Sequence, residues 1–449
     1  MTAAALAARQ QTQLAIGQAG LPLGSLTYAR QGRREHSAFA YAAAWLDNPA
    51  RFNISADLRL TAGHQSHKAA SAHDSVFHGA IADTAPDAWG RRVIARDHAK
   101  RRKDNPELAA LSELDYLLAV DDFSRIGALR LYDAADGWQR TVADGQRRTP
   151  PLIELEHIFQ ASRAVERGQE SAADLRYLQG KGTSLGGMRP KCTLVDADGW
   201  LAIGKFPSIG DVRSVTRGEV LALKLAAQAG IDVPAARIVD LGETPVAVIR
   251  RFDRCLDHAG AVGRIPYQSA ASLLQAARDD ERSYAEIADA IRAHGHAPLP
   301  DLRQLWRRLV FNLLISNVDD HLQNLGFLHV SHSQWRLAPA FDINPFPDKE
   351  RESKTWLSPQ DGPITDLPML LARAPWFALD ETQALAVLAE VRAAVANWRQ
   401  TARSPEVGLR PAELDDFAPA FEHKQMAEAA ALLGRQIFHQ SQIGTKITP

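Results

Sequence analysis

Cysteine is nearly absent: the 449 residues include only Cys192 and Cys255, with no CxxC pair and no Cys/His spacing around either. That excludes a disulfide scaffold and a cysteine-based zinc site, and two reduced thiols are expected. No apolar run reaches the roughly 20 residues that a membrane-spanning helix needs. The opening segment, Met1 to Gly20, is rich in Ala and Gln. It lacks the basic start and apolar centre of a secretory leader, so a cytoplasmic protein without membrane contact is expected. Charge of one sign is also missing. Lys and Arg number 52 against 53 Asp and Glu, a formal net charge of −1. Such balance gives no global field toward nucleic acid or anionic lipid, so any DNA contact must be local. No internal repeat is present. No Gly-x-x-x-x-Gly-Lys-Ser/Thr occurs either, since Gly180-Lys181-Gly182 lacks the spacing and the hydroxyl, which argues against a P-loop NTPase.

What is present is a chain too long for one ordinary core, so two or three domains are expected. Short strand-like pieces, Leu26 to Ala29 and Ala38 to Tyr41, flank the polar turn at Gly32 to Arg34. Helical stretches follow at Ala88 to Lys100 and Glu107 to Ala119, and the polar segment Asp144 to Pro151 suits a linker. Leu152 to Arg167 has helical character. Next come a hairpin (Cys192 to Val195, Trp200 to Lys205), a helix (Glu219 to Ala229, closed by Gly230) and two strands (Arg237 to Leu241, Val246 to Arg250). Beyond about residue 255 helices dominate. Leu302, Leu305, Trp306, Leu309, Val310, Leu313 and Leu314 recur at the i, i+3, i+4, i+7 spacing of a buried helix.

Directly after that helix comes Asn317-Val-Asp-Asp-His-Leu-Gln-Asn324. Phosphoryl transfer needs a carboxylate to position the attacking hydroxyl and oxygen ligands for magnesium on the phosphates. In protein kinases the catalytic Asp precedes a metal-binding Asn by five positions, the spacing of Asp319 and Asn324. A second metal-binding Asp should follow a short β-hairpin. Leu325 to Val330 and Gln334 to Leu337 form such a hairpin, and Asp342 comes next in Ala340-Phe-Asp-Ile-Asn344. Upstream, Ser184-Leu-Gly-Gly-Met-Arg-Pro-Lys191 carries paired glycines, Gly186 and Gly187, that let backbone N–H groups approach phosphate. Lys205 ends a strand from which an ammonium can reach α/β-phosphate oxygens, and Glu219 in the next helix is its expected ion-pair partner. The expected fold class is therefore α+β. It has a bilobal protein-kinase-like arrangement of a small β-rich N-lobe (149–253) and a helical C-lobe (254–449), after an α/β accessory subdomain (1–148).

These residues resemble the HipA family of bacterial serine/threonine kinases, the toxins of toxin–antitoxin pairs. The family's Ser-x-x-Gly loop with its following Lys matches Ser184, Gly187 and Lys191. Its ATP-binding strand lysine falls on Lys205, and its hinge on Arg251-Phe-Asp-Arg254. Its Asp-x-His-x-x-Asn falls on Asp319, His321 and Asn324, and its Phe/Tyr-Asp-Ile on Asp342. The accessory domain is matched through Tyr41, Trp45-Leu46 and Phe77-His-Gly-Ala-Ile-Ala-Asp83. The resemblance implies ATP and Mg2+ as cofactors, Asp319 with His321 and Lys205 as the catalytic set, and Asn324 and Asp342 as magnesium ligands. Gly186, Gly187, Met188, Arg189, Lys191, Glu219, Arg250, Arg251, Phe252, His321 and Gln323 would join the nucleotide-binding set. Ser184 is implied as an autophosphorylation site that silences the enzyme, because a phosphate there adds charge beside the nucleotide phosphates. An aminoacyl-tRNA synthetase or another translation component is the implied substrate. A small helix-turn-helix, HipB-like antitoxin is the implied partner, with DNA reached only through it. Departures are Met188, Arg189 and Pro190 in the loop, and Asp320, an extra carboxylate that either raises the Asp319 pKa or binds metal.

Two other readings compete. Gly182-Thr-Ser-Leu-Gly186 matches the Gly-x-Ser-x-Gly elbow of serine hydrolases, which must lie between a strand and a helix, yet Pro190 sits inside the would-be helix. A kinase-like scaffold or co-repressor without phosphotransfer is the other. His64, His67, His73 and His78 follow no common metal-ligand spacing. The run Arg91, Arg92, Arg96, Lys100 to Lys103 suits a solvated helix face, or a contact to DNA phosphates.

Overall fold

The computed structural model describes residues 8–444 except 33, 70, 72–73, 134–136, 139–153, 179–186, 257–259, 261, 278–279 and 349–351. The expected linker and the whole Gly-x-Ser-x-Gly segment, Ser184 and Gly186 included, lie outside the described residues. The architecture is mixed α/β, and the chain divides into two compact units that interleave along the sequence. The first comprises Met1–Gly210, Val239–Asp280 and Gly326–Trp335; the second comprises Asp211–Ile238, Glu281–Leu325 and Arg336–Pro449. The accessory region falls in the first unit with three strands of a small four-stranded sheet, while the fourth, Ala236–Leu241, spans the boundary between the second and first units. Among the described residues no helix is long and apolar enough to cross a membrane.

In the first unit an antiparallel sheet runs in the order Gln65–His67, Arg34–Tyr41, Leu21–Gln31, Ala8–Ile16, Leu129–Asp133, Gly137–Trp138. Its Ala8–Ile16 strand was not expected from a Gln-rich segment. Burial explains it, because Thr12 and Leu14 turn inward while Gln11 and Gln13 face solvent, the period of two that a half-buried strand requires. The helix Ala88–Asp104 starts where the Asp87 carboxylate accepts from the Gly90 N–H at 2.8 Å. Part of its basic run is engaged within the chain. Arg91 makes a two-pronged pair with Glu113 (2.9 and 2.6 Å), Arg96 meets Glu170 at 3.0 Å and Arg101 meets Asp97 at 3.0 Å, while Arg102 and Lys103 are exposed.

The small sheet runs Lys191–Val195, Leu201–Lys205, Thr244–Arg250, Ala236–Leu241, and Lys205 lies opposite both Lys191 and Ala247. Val246 and Val248 pack with Leu194, Ala202, Phe206 and Trp89, and with Leu155 and Ile158 of the helix Leu155–Arg167. Burial of each large apolar side chain contributes about 1.5–3 kcal/mol. After Gly187 the chain passes through bends into a strand rather than a helix, so the context that a serine-hydrolase elbow demands does not follow.

The second unit is built on the helix Pro298–Leu314, with Pro298 in its first turn, where the missing N–H is not needed. Its stripe Leu302, Leu305, Trp306, Leu309, Val310 and Leu314 is buried, as the spacing implied. Around it stand Val215–Gln228, Tyr284–His294, Glu381–Ala396 and Lys424–Gly444. Ser283 with Glu286, and Asp380 with Gln383, close capping boxes that fix two of these helices at their N-termini.

Candidate functional site

The segment 315–324 leaves the buried helix through a reversal that the sequence does not advertise. Ser316 takes a left-handed backbone (φ 54°), and its hydroxyl donates to the Ala420 carbonyl at 3.2 Å. The Asn317 N–H returns to the Asn312 carbonyl at 2.8 Å. These bonds bring Asp319, Asp320 and His321 out at the helix exit. A short 3-10 turn, Leu322–Asn324, then presents Asn324.

Downstream, Asp342 is held between two tethers. The Ala340 N–H donates to the Asp232 carbonyl at 2.7 Å, and the Phe346 N–H donates to the Ser316 carbonyl at 3.2 Å. Between them Asp342 adopts φ 54°, a left-handed conformation that Asp tolerates better than most residues but that needs surrounding support. As a result Asp320, His321, Asn324 and Asp342 line one recess, floored by Leu309, Phe311 and Ile343.

Three buried polar atoms among the residues lining this recess have no hydrogen-bond partner: Asn324 Oδ1, His321 Nδ1 and Arg308 Nε. The Asn324 amide nitrogen is already committed, donating to the Asp319 carbonyl at 2.8 Å. That bond fixes which end of the amide faces the cavity. An oxygen acceptor buried without a donor costs about 1–3 kcal/mol and marks a place where a cation or a donor fits. With the Asp342 carboxylate on the same wall, the donor set is all oxygen, as magnesium prefers.

The two adjacent carboxylates diverge. Asp319 is one-third exposed and ion-pairs with the Lys354 ammonium. Asp320 is 7% exposed, accepts from the Tyr284 hydroxyl at 2.7 Å and from the Lys354 N–H at 2.6 Å, and its carbonyl accepts from Thr355 Oγ1 at 2.7 Å. Burial pushes the Asp320 carboxyl up against the pull of those donors. The Tyr284 phenol is pushed well up by burial and then by the Asp320 charge. The extra carboxylate is thus an anchor that fastens residues 354 and 355 to the segment 315–324. Tyr284 and Lys354 carried no motif that pointed to this role.

In the first unit Gly187 has φ 100°, a backbone conformation that favours glycine, and a Cβ there would stand 2.6 Å from Lys191 Nζ. Lys191 is buried in its strand with Nζ 3.3 Å from Asp87, so its charge is already balanced by a carboxylate. Met188 is 81% exposed and Arg189 is exposed. Lys205 is buried at the end of its strand, and Glu219 is buried in the helix Val215–Gln228 of the second unit.

The hinge expectation needs a correction. Arg250 stays exposed, its guanidinium over the Trp200 ring at 4.2 Å and 3.2 Å from Asp198. The Arg251 side chain, by contrast, is fully enclosed. It donates to Asp253 at 2.8 Å and to the Ser124 carbonyl at 2.6 Å. Arg254 also pairs with Asp253 at 2.6 Å, while Arg130 and Arg264 pair with Asp122 at 2.7 and 3.2 Å. The Arg251 guanidinium therefore sews 121–130 to 251–264 instead of lining an adenine pocket. In a low-dielectric interior a charge this deep persists only when paired.

Two models of one family cover most of the chain: the HipA N-terminal domain matches residues 14–117, and the HipA-like C-terminal domain matches residues 183–398. The chain belongs to the HipA family. The second model spans Lys205, Asp319, Asn324 and Asp342 together. Among curated relatives, a Sinorhizobium fredii protein provisionally named kinase Y4mE is 27% identical over 346 residues, covering 72% of this chain and 75% of its own. A Haemophilus influenzae protein, also provisionally named a kinase, is 27% identical over 188 residues, 37% of this chain and 55% of its own. In fold the chain is similar to a solved Shewanella oneidensis toxin–antitoxin assembly of HipA, HipB and operator DNA. That match has a TM-score of 0.62 and 14% identity, over 93% of this chain and 96% of the other.

Proposed function

We propose that this HipA-family chain is an ATP-dependent serine/threonine protein kinase with the bilobal arrangement of that enzyme class. The observation that carries the proposal is the recess lined by Asn324 and Asp342, where a buried amide oxygen lacks any donor and a carboxylate shares the wall. Asp319 positions the acceptor hydroxyl and takes up its proton as the hydroxyl oxygen bonds to the γ-phosphorus and the bond from that phosphorus to the β–γ bridging oxygen breaks, releasing ADP; Asn324 and Asp342 would hold magnesium. Magnesium, when bound, neutralises charge on the phosphates. Lys205 grips the nucleotide phosphates with Glu219 as its counter-ion, His321 and Gln323 border the nucleotide, and the Gly187 to Lys191 backbone supports the phosphate end. At the hinge the backbone of Arg250 to Phe252, rather than the Arg251 guanidinium, faces the base.

Ser184 is proposed as the autophosphorylation site. A translation component such as an aminoacyl-tRNA synthetase is proposed as the substrate, and a HipB-like helix-turn-helix antitoxin as the partner that carries the complex to DNA. The fold likeness to a HipA taken from such an assembly supports this last assignment. Labelled ATP incubated with purified chain and bacterial lysate tests the enzyme assignment. Transfer to a lysate protein, lost in Asp319→Ala, is expected; equal labelling by both proteins would refute the role of Asp319. Intact mass after incubation with MgATP tests Ser184, with one added phosphate expected and none in Ser184→Ala.

A further inference from the structure

Two of the histidines that showed no metal spacing in the sequence, His67 and His78, come together in the first unit around a carboxylate. Asp57 lies in a loop, His67 ends the edge strand Gln65–His67, and His78 is the residue just before the short helix Gly79–Ala82. His78 Nδ1 is 2.7 Å and His67 Nδ1 is 3.5 Å from the same oxygen, Asp57 Oδ2. The three candidate ligand atoms all lie within 4.8 Å of one another. The far nitrogen of each ring is also engaged: His78 Nε2 is 3.0 Å from the Gln65 carbonyl, and His67 Nε2 is 3.3 Å from the Ser75 carbonyl.

A carbonyl only accepts, so each Nε2 must carry its proton. In neutral imidazole that leaves Nδ1 as a lone pair. Both lone pairs then point at a carboxylate oxygen, which is another acceptor, and the convergence is repulsive unless positive charge stands among the three atoms. A ring N–H fixed on a backbone carbonyl while the other nitrogen faces inward is the usual second-sphere arrangement of metal-bound histidine. The other Asp57 oxygen is held as well, accepting from the Ser55 hydroxyl at 2.5 Å.

We propose that Asp57, His67 and His78 form a binding site for a divalent transition ion, with Zn2+ the best match. Two imidazoles and one carboxylate suit zinc, and three protein ligands leave a fourth, solvent-filled position. His78 is 3% exposed and His67 is 28% exposed, so the site has a rigid floor and an open side for entry. The ion would tie three segments that are distant in sequence, the loop at 57, the sheet edge and the start of a helix. Spacing could not disclose it, because one ligand is an aspartate ten residues before the first histidine of the pair.

The test uses the full chain after chelator treatment, titrated calorimetrically with ZnCl2, with Co2+ as a spectroscopic probe of coordination number. One equivalent of Zn2+ is expected, with four-coordinate Co2+ absorption. His67→Ala and Asp57→Asn should each weaken binding by at least the 10–100-fold typical of losing even an outer-sphere partner. His64→Ala and Asp342→Ala should leave it unchanged, the latter separating this site from the magnesium recess. Because His67 is partly exposed, its alanine variant should fold, as circular dichroism can verify. If the stripped chain takes up no Zn2+, or His67→Ala and Asp57→Asn bind it as the wild type does, the proposal fails and protons alone hold the cluster together.

Discussion

Replacing Tyr284 by Phe probes the anchor behind the segment 315–324 with the loss of a single oxygen atom. The Tyr284 hydroxyl is buried and donates to Asp320 Oδ2 at 2.7 Å, and Asp320 is itself 7% exposed. A hydrogen bond to a charged acceptor contributes about 1.5–3 kcal/mol, and water cannot readily replace the missing donor. For a unit of this size that corresponds to a fall of roughly 3–10 °C in Tm. Asp320→Asn loses charge and misplaces one donor against either the Tyr284 hydroxyl or the Lys354 N–H, so a larger loss is expected. The double variant should then lose about 1–2 kcal/mol less than the sum of the two single losses, since both remove one shared bond. Differential scanning calorimetry of the four proteins provides the cycle. A Tyr284→Phe protein that melts with the wild type, or strictly additive losses, would refute the claim that this bond clamps the segment.

Asp83 offers a pH test. Burial raises its carboxyl to about 6, against donors from Ser269 and Ser272. An acid with a raised folded pKa binds more protons folded than unfolded, so its contribution to stability falls as pH rises from about 4 through 6. Two units correspond to about 3 kcal/mol. Asp83→Asn removes that dependence, so urea titrations should show wild type losing stability relative to the variant between pH 4 and 7; a constant difference would overturn the assignment. Arg251→Ala is expected to cost about 3–5 kcal/mol by leaving Asp253 short of a partner. Arg250→Ala, at an exposed pair, should cost under about 1 kcal/mol. Equal melting temperatures for these two variants would contradict the buried-clamp reading of the hinge.

The parts that could be read directly were those governed by short-range rules. The stripe Leu302 to Leu314 marked its helix, the turn Asp196 to Gly199 between two short runs marked the hairpin of 191–205, and Asp342, placed after a second hairpin, lines the recess. The strand Ala8–Ile16 escaped notice because glutamines dominate it, and only the burial of Thr12 and Leu14 exposes the period of two. Arg251 was assigned to nucleotide because its neighbours in sequence suggest a hinge. Its ion-pair partner Asp253 is two residues on, but the Ser124 and Arg125 carbonyls that complete its enclosure lie more than a hundred residues away. The same holds for Asp320 with Tyr284, and for Asp57 with His67 and His78. Long-range pairing of polar groups leaves no periodic trace along the chain, whereas it decides what each side chain is free to do.

The central claim is that Asn324 and Asp342 present oxygen ligands for the magnesium of a bound nucleotide. The most direct check is Mg2+-dependent ATP binding by calorimetry, comparing wild type with Asp342→Ala and Asn324→Ala. Wild type should bind ATP markedly more tightly with Mg2+ than with EDTA, and each variant should lose most of that enhancement while its affinity in EDTA stays unchanged. Undiminished enhancement in both variants would place the metal elsewhere and remove the basis for phosphotransfer at this recess.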